Sequence, residues 1–176
     1  RSRVNCILAT HKTINEDNPK LNCRTFGLNN FSPQIAILDK NLRIKNNSFV
    51  VQNAKNIKTF IFYNLKNKKK IKYLKSKKIK TIYTPLIKKN LNFNFVLKKL
   101  SNYEINSVLV EAGRSLISSL LSMNYFNEFY LFISSKSLKS RGSLKIKKIK
   151  PILLSKFKNI KYNETFLDKD NLIHYY

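Results

Sequence analysis

The sequence predicts an α/β domain with a mostly parallel central sheet flanked by helices and an antiparallel strand pair at the C-terminal end. Three observations predict it. Short apolar runs rich in β-branched and aromatic residues recur along the chain, with segments of helical spacing between them. Residues 107–110 (SVLV) are apolar without alternation, as in a strand covered on both faces. Residues 157–166 and 171–176 read as a closing antiparallel pair.

The elements follow in order. Residues 4–9 (VNCILA) are the first expected strand. Residues 34–39 (QIAILD), opened by Pro33 and closed by an acid, are the second, and residues 49–52 a short third. TFIFY at 59–63 and KTIY at 80–83 have strand composition. Between them, residues 64–78 are crowded with Lys and hold few apolar anchors, so they read as a solvated helix or loop. Phe93, Val96, Leu97 and Leu100 fall at i, i+3, i+4 and i+7, the stripe of an amphipathic helix. After the strand at 107–110, Leu116, Leu120 and Met123 share one side of a helix over 115–123. FYLFI at 129–133 is strand again, and 136–150 is a basic, mobile stretch. No repeat and no change of composition divides the chain, so 1–176 reads as a single domain.

Composition narrows the function classes. Of 176 residues, 43% are hydrophobic and 12% aromatic, which excludes intrinsic disorder. Lys and Arg number 35 against 9 acids, a net charge of +26, but only 6 of the 35 are Arg. Lys, Asn and Ile make up 71 of 176 residues and share A/T-rich codons, which points to a genome drifting toward A and T as the expected source of the charge. Readers of phosphates and base edges use Arg as well as Lys. The charge is therefore a weak argument for a nucleic-acid partner, though it attracts anions in general. Cys6 and Cys23 are the only cysteines and His11 and His174 the only histidines, too few and too scattered for a zinc site. Two free thiols suit a reducing cytosol, and a cytoplasmic location is expected. No apolar run approaches the roughly 18 residues that cross a bilayer. The chain opens on Arg1 rather than Met and reads as a fragment.

Two stretches could carry chemistry. The first, residues 13–24 (TINEDNPKLNCR), follows the first strand, where α/β sheets place ligands. Pro19 restrains Asn18 to extended or turn geometry, so a rigid loop would hold Thr13, Asp17 and Arg24 in place. A hydroxyl, a carboxylate and a guanidinium in one loop suit a phosphorylated sugar. An ordinary surface turn would also explain these residues. The second, residues 110–115 (VEAGRS), ends a buried strand and opens a helix. Gly113 permits close backbone approach, the helix start attracts phosphate, and Arg114 and Ser115 add a charge and a hydroxyl. With three glycines in the whole chain, a GxGxxG dinucleotide fingerprint is excluded. Glu111 is the only acid between Glu104 and Glu128 and equally suits the role of a helix-start acid.

Further matches join these stretches: Arg1, Leu21, Asp39, Leu42-Arg43, Val110-Glu111-Ala112-Gly113, Leu116 and Glu128. In this order and separation they resemble the reductase domain of riboflavin biosynthesis. That domain is the C-terminal half of the bifunctional riboflavin deaminase/reductase and has a dihydrofolate-reductase-like fold. The likeness runs from Arg1 to about Gly142. The chain departs from the family pattern at residues 9–12, where a glycine-rich step is replaced. It departs again at Arg114, where Pro is usual, and at Asn127, where Asp is usual.

The resemblance implies a 5-amino-6-(5-phosphoribosylamino)uracil reductase, which turns a ribosylamino side chain into a ribitylamino one with NADPH as hydride donor. It places Thr13, Asp17, Gly113, Arg114, Ser115, Leu116, Ile117, Ser118 and Ser119 at the cofactor. Arg1, Leu21, Arg24 and Glu111 would meet the phosphorylated pyrimidine substrate, with the arginines near its phosphate. Lys40 stands where the family often has a small polar residue near the cofactor. No proton donor is assigned; Glu111 is the best-placed ionisable group. His11 and His174 read as loop residues and Cys6 as core. The resemblance further implies a homodimer, and a first strand and zinc deaminase domain upstream of Arg1, since the deaminase signature is missing here. Two alternatives are a pterin-type reductase of the same fold, which Arg1 and Arg24 argue against, and a basic nucleic-acid-binding protein without catalysis. The second predicts a single lysine stripe interleaved with aromatic residues, built from segments such as 66–80 and 136–150.

Overall fold

A computed structural model describes residues 1–134, 149–164 and 170–176. The chain forms two compact units, Arg1–Gly113 and Arg114–Tyr176.

The first unit holds β1 (Cys6–Thr10), α1 (His11–Asp17), β2 (Gln34–Leu38), α2 (Phe49–Gln52), β3 (Thr59–Tyr63), α3 (Lys68–Ser76) and β4 (Lys80–Tyr83). After these come β5 (Leu86–Ile87), β6 (Asn90–Leu91), α4 (Phe93–Ser101) and β7 (Val108–Val110). Five strands form one sheet in the order β4-β3-β2-β1-β7, every pairing parallel. Alternate side chains leave opposite faces of each strand. Ile7, Ala9, Ile35, Ile37 and Ile61 pack on one face with Ile14 of α1, Val50 and Val51 of α2 and Leu74 of α3. Cys6, Leu8, Ala36, Phe60 and Phe62 pack on the other with Val96 and Leu100 of α4. Both faces being covered, these strands read as unbroken apolar runs. α4 matches its predicted stripe, and Asn92 caps it by accepting from the Phe95 N–H at 3.1 Å. Within 64–78 the helix is α3, capped by Asn67 and burying Leu74.

The second unit holds α5 (Arg114–Ser122), β8 (Phe129–Ile133), α6 (Lys150–Lys156), β9 (Ile160–Glu164) and β10 (Asn171–Tyr175). The last two strands pair antiparallel as expected, and β8 joins the free side of β10 to make a three-stranded antiparallel sheet. Leu121, Leu153, Phe157, Ile173 and Tyr175 form its core.

Several elements differ from expectation. Residues 49–52 are the helix α2, not a strand: four residues are too few for either periodicity to show, and Val50 and Val51 are both buried. Residues 11–17 are the helix α1 rather than part of a loop. Thr10 caps it by accepting from the Thr13 N–H at 3.3 Å, and Ile14 alone is buried, so no stripe marks it in the sequence. The β5–β6 hairpin turns on Lys88 and Lys89, both at positive φ, the backbone of a primed turn. The basic stretch 136–150 lies outside the described residues except for its last two positions, where α6 begins.

Candidate functional site

In a parallel sheet every strand delivers its carboxyl end to one edge, and ligands gather there. β1 ends at Thr10 and runs directly into α1. β2 ends beside Asp39, and β7 ends at Val110 with Glu111 next, its N–H donating to the Leu8 carbonyl at 2.9 Å.

Arg1 joins two parts of this edge. Its Nε donates to Glu111 Oε1 and its Nη2 to Glu111 Oε2, both at 2.7 Å, a bidentate pair. Its Nη1 donates to the Asn22 carbonyl at 3.0 Å. The hydrogen bond to Glu111 raises the Arg1 pKa further, against the opposing pull of partial burial. Thus Glu111, 110 positions away in sequence, is tied through Arg1 to the stretch that follows α1.

That stretch forms an open groove of about 590 Å³ lined by Asp17, Asn18, Pro19, Lys20, Asn22 and Arg24. Its backbone is unusual: Asn18 has φ 42° and Leu21 φ 52°, both in the left-handed region. A non-glycine residue there costs of order 1 kcal/mol and persists where its surroundings hold it. Leu21 is buried, so the turn is anchored inward while Asp17 and Arg24 are exposed. Thr13 lies on α1, its hydroxyl 3.1 Å from that of Thr10.

Gly113 is exposed, and a Cβ added there would meet no protein atom within 4 Å. The first atom of a side chain at Gly113 would therefore stand in open space. In the second unit, Arg114 and Ser115–Ser119 occupy the first turns of α5; Ser115 is exposed and the others half-buried. Lys40 donates to the Lys89 carbonyl at 2.7 Å.

Sequence reasoning passed over part of this edge. Asp39, in the sequence no more than an acid closing an apolar run, is fully buried; its two oxygens accept from the Arg43 and Ile44 N–H groups at 2.8 Å each. His11 is the first residue of α1, with Nδ1 3.5 Å from Asp39 Oδ1. An acid closing an apolar strand was the available signal for Asp39. Asn15 and Asn22 are hidden among 23 asparagines, and Asn18 is marked only as the residue before Pro19.

The lysines bear on the nucleic-acid alternative. Lys58 and Lys80 sit 5.5 and 4.2 Å from the centre of the Tyr103 ring. Lys77 covers Tyr73 and Lys99 covers Phe95. The faces of these three rings are thus occupied by the chain's own cations, while Phe26 and Phe31 stand exposed in another part of the chain. Among the described residues, no helix is long and apolar enough to cross a membrane.

A family model described as the RibD C-terminal domain matches residues 1–147. The riboflavin biosynthesis protein RibD of Buchnera aphidicola subsp. Baizongia pistaciae (strain Bp) is 29% identical over 146 residues, 78% of this chain and 39% of that protein. Its namesake in Aquifex aeolicus (strain VF5) is 29% identical over 163 residues, 91% of this chain and 44% of that protein. This chain therefore spans well under half the length of these relatives. Among solved structures, a diaminohydroxyphosphoribosylaminopyrimidine deaminase/5-amino-6-(5-phosphoribosylamino)uracil reductase of Thermotoga maritima superposes with a TM-score of 0.68. It is 20% identical, covers 99% of this chain and 45% of its own, and so bears on the fold.

Proposed function

Because the chain belongs to the RibD C-terminal domain family, we propose that it is the reductase of riboflavin biosynthesis that reduces 5-amino-6-(5-phosphoribosylamino)uracil with NADPH. The single observation that carries this is the Arg1–Glu111 pair with its third bond to Asn22, which links the two motif-bearing stretches at the carboxyl edge of the sheet.

When bound, NADPH supplies the hydride that turns the ribosylamino side chain into a ribitylamino one; the protein orients and binds. Thr13, Asp17, and Gly113 to Ser119 are proposed as cofactor contacts, and the open space at Gly113 suits a phosphate approaching the backbone. Leu21 and Arg24 are proposed for the substrate, with Arg24, exposed on the groove, as the phosphate partner. Arg1 has a different part from Arg24. Three of its donors are directed to Glu111 and Asn22, so its work is to fix the Glu111 carboxylate. Both Glu111 oxygens accept from Arg1, which suits an acceptor that orients a substrate hydroxyl. A homodimer, and a deaminase domain in the same polypeptide like the one named in the Thermotoga relative, belong to the same proposal. So does a reducing cytoplasmic setting, which suits the free thiols Cys6 and Cys23.

The test is Gly113→Val in the full-length protein, followed by NADPH fluorescence titration. A Cβ at Gly113 meets open space, so the variant should unfold at the wild-type urea midpoint yet bind NADPH at least about tenfold more weakly. Wild-type protein that neither binds NADPH nor oxidises it with the pyrimidine substrate would overturn the assignment.

A further inference from the structure

The groove at residues 17–24 leaves the end of a short helix with a single buried residue, Ile14, which is little to hold it still. Its rigidity must come from elsewhere, and a chain of contacts behind it supplies it. The buried Asp39 fixes the N–H groups of Arg43 and Ile44. One step outward, Asn15 of α1 donates through Nδ2 to the Arg43 carbonyl and accepts through Oδ1 from the Lys45 N–H, both at 2.9 Å. At the helix end, Asn18 donates its own N–H to the Ile14 carbonyl at 3.1 Å and accepts through Oδ1 from the Phe49 N–H at 2.7 Å.

The last bond is a helix cap supplied from outside. Ser48 stands at the N-cap of α2 but makes no capping bond; its hydroxyl donates to the Lys45 carbonyl instead. Asn18 provides the missing acceptor. The same residue must also take φ 42°, ψ 50°, directly before Pro19, which disfavours the ordinary helical conformation at that position. Asparagine meets both demands, since it tolerates the left-handed region and carries an acceptor on a short side chain. Lys20 adds a second link, its ammonium 5.7 Å from the centre of the Phe49 ring. On the far side, Arg1 holds the Asn22 carbonyl.

We propose that Asn18 is a positioning residue for the ligand groove: its side-chain bond to Phe49 fastens the turn between Asp17 and Leu21 to the 43–49 segment. Asp17 and Arg24 lie on either side of that turn, so this bond, with the buried Leu21 and the Arg1 contact to Asn22, helps set the spacing between the proposed cofactor contact and the proposed substrate contact. Losing it lets the turn swing and weakens both ligands together, while the reacting groups themselves are untouched.

The kinetic arm of the test rests on the reductase reading; the exchange arm does not. Asn18→Gly keeps the backbone freedom and removes the acceptor, whereas Asn18→Asp keeps both. In the full-length protein, Asn18→Gly should raise KM for NADPH and for the pyrimidine substrate alike, each about three- to tenfold, with kcat within about twofold. Asn18→Asp keeps the acceptor but adds a charge to a groove proposed for phosphates, so its control readout is Phe49 exchange, with kcat within about twofold of the parent. Hydrogen exchange at the Phe49 amide should be about fivefold faster in Asn18→Gly and restored in Asn18→Asp. Unchanged Phe49 exchange in Asn18→Gly overturns the fastening whatever the activity. Faster exchange with unchanged KM values overturns the positioning role and leaves only a helix cap. Loss of kcat alone overturns it as well. A parent protein with no reductase activity refutes the function instead, and Phe49 exchange then decides the fastening alone.

Discussion

Asp39→Asn replaces one carboxylate oxygen by an amide NH2 at almost constant volume. Asp39 is fully buried, and each oxygen accepts one backbone N–H at 2.8 Å. The variant keeps one acceptor for two donors. The cheaper orientation turns the NH2 toward Arg43, whose bond is only part-buried, and keeps the buried Ile44 bond. One charge-assisted hydrogen bond is lost and one backbone donor faces another donor. Together these cost about 2–3 kcal/mol. Urea unfolding followed by far-ultraviolet circular dichroism measures it as a lower midpoint at unchanged slope. Asp39→Ala, which removes both acceptors, should fall further. A change within about 0.5 kcal/mol for Asp39→Asn, the ordinary scatter of surface substitutions, would refute the claim that this carboxylate holds the 40–44 turn.

Two further outcomes are expected. Tyr130 donates to Glu128 Oε2 at 2.7 Å and His174 Nε2 lies 3.0 Å from the same oxygen; the tyrosine bond is the larger cause of a Glu128 pKa below its ordinary value. A lowered folded pKa contributes stability that is present above the ordinary value and fades as pH falls through the lowered one. Tyr130→Phe should therefore raise the Glu128 titration in a carbon-detected NMR series, and an unmoved titration would show that the bond is idle. Burial pushes the Cys6 thiol up to about 12, so brief alkylation at neutral pH followed by mass spectrometry should find it unlabelled until the protein unfolds. Labelling of folded Cys6 at the rate of a free thiol would contradict its place in the core.

The strands were legible because burial on both faces leaves no room for polar residues: β1, β2 and β3 are apolar almost throughout. The helix α4 was legible by its stripe. α1 was not, since HKTINED buries one residue and looks like a loop. FVVQ at 49–52 has strand composition but folds as a helix because its neighbours, not its pattern, decide it: Asn18, 31 positions earlier, caps its first N–H. The motif positions of the candidate site came from resemblance, and their pairing could not. Nothing local links Arg1 to Glu111, and Arg24, expected to act like Arg1, has a different environment. The asparagines that fasten the groove carry no signal in a chain so rich in them.

The separation of the rim loops from the packed layers explains how such a skewed composition is tolerated. Isoleucine, one of the abundant types, fills the interior at Ile7, Ile35, Ile37 and Ile61, where its branched shape suits strands. Asparagine has found employment at helix starts, at Asn67 and Asn92. Lysine is left to the periphery, where Lys66, Lys68, Lys69 and Lys72 are all exposed. Each abundant residue type is thus lodged where its chemistry does least harm. The exterior can therefore take up further lysines without touching the buried layers.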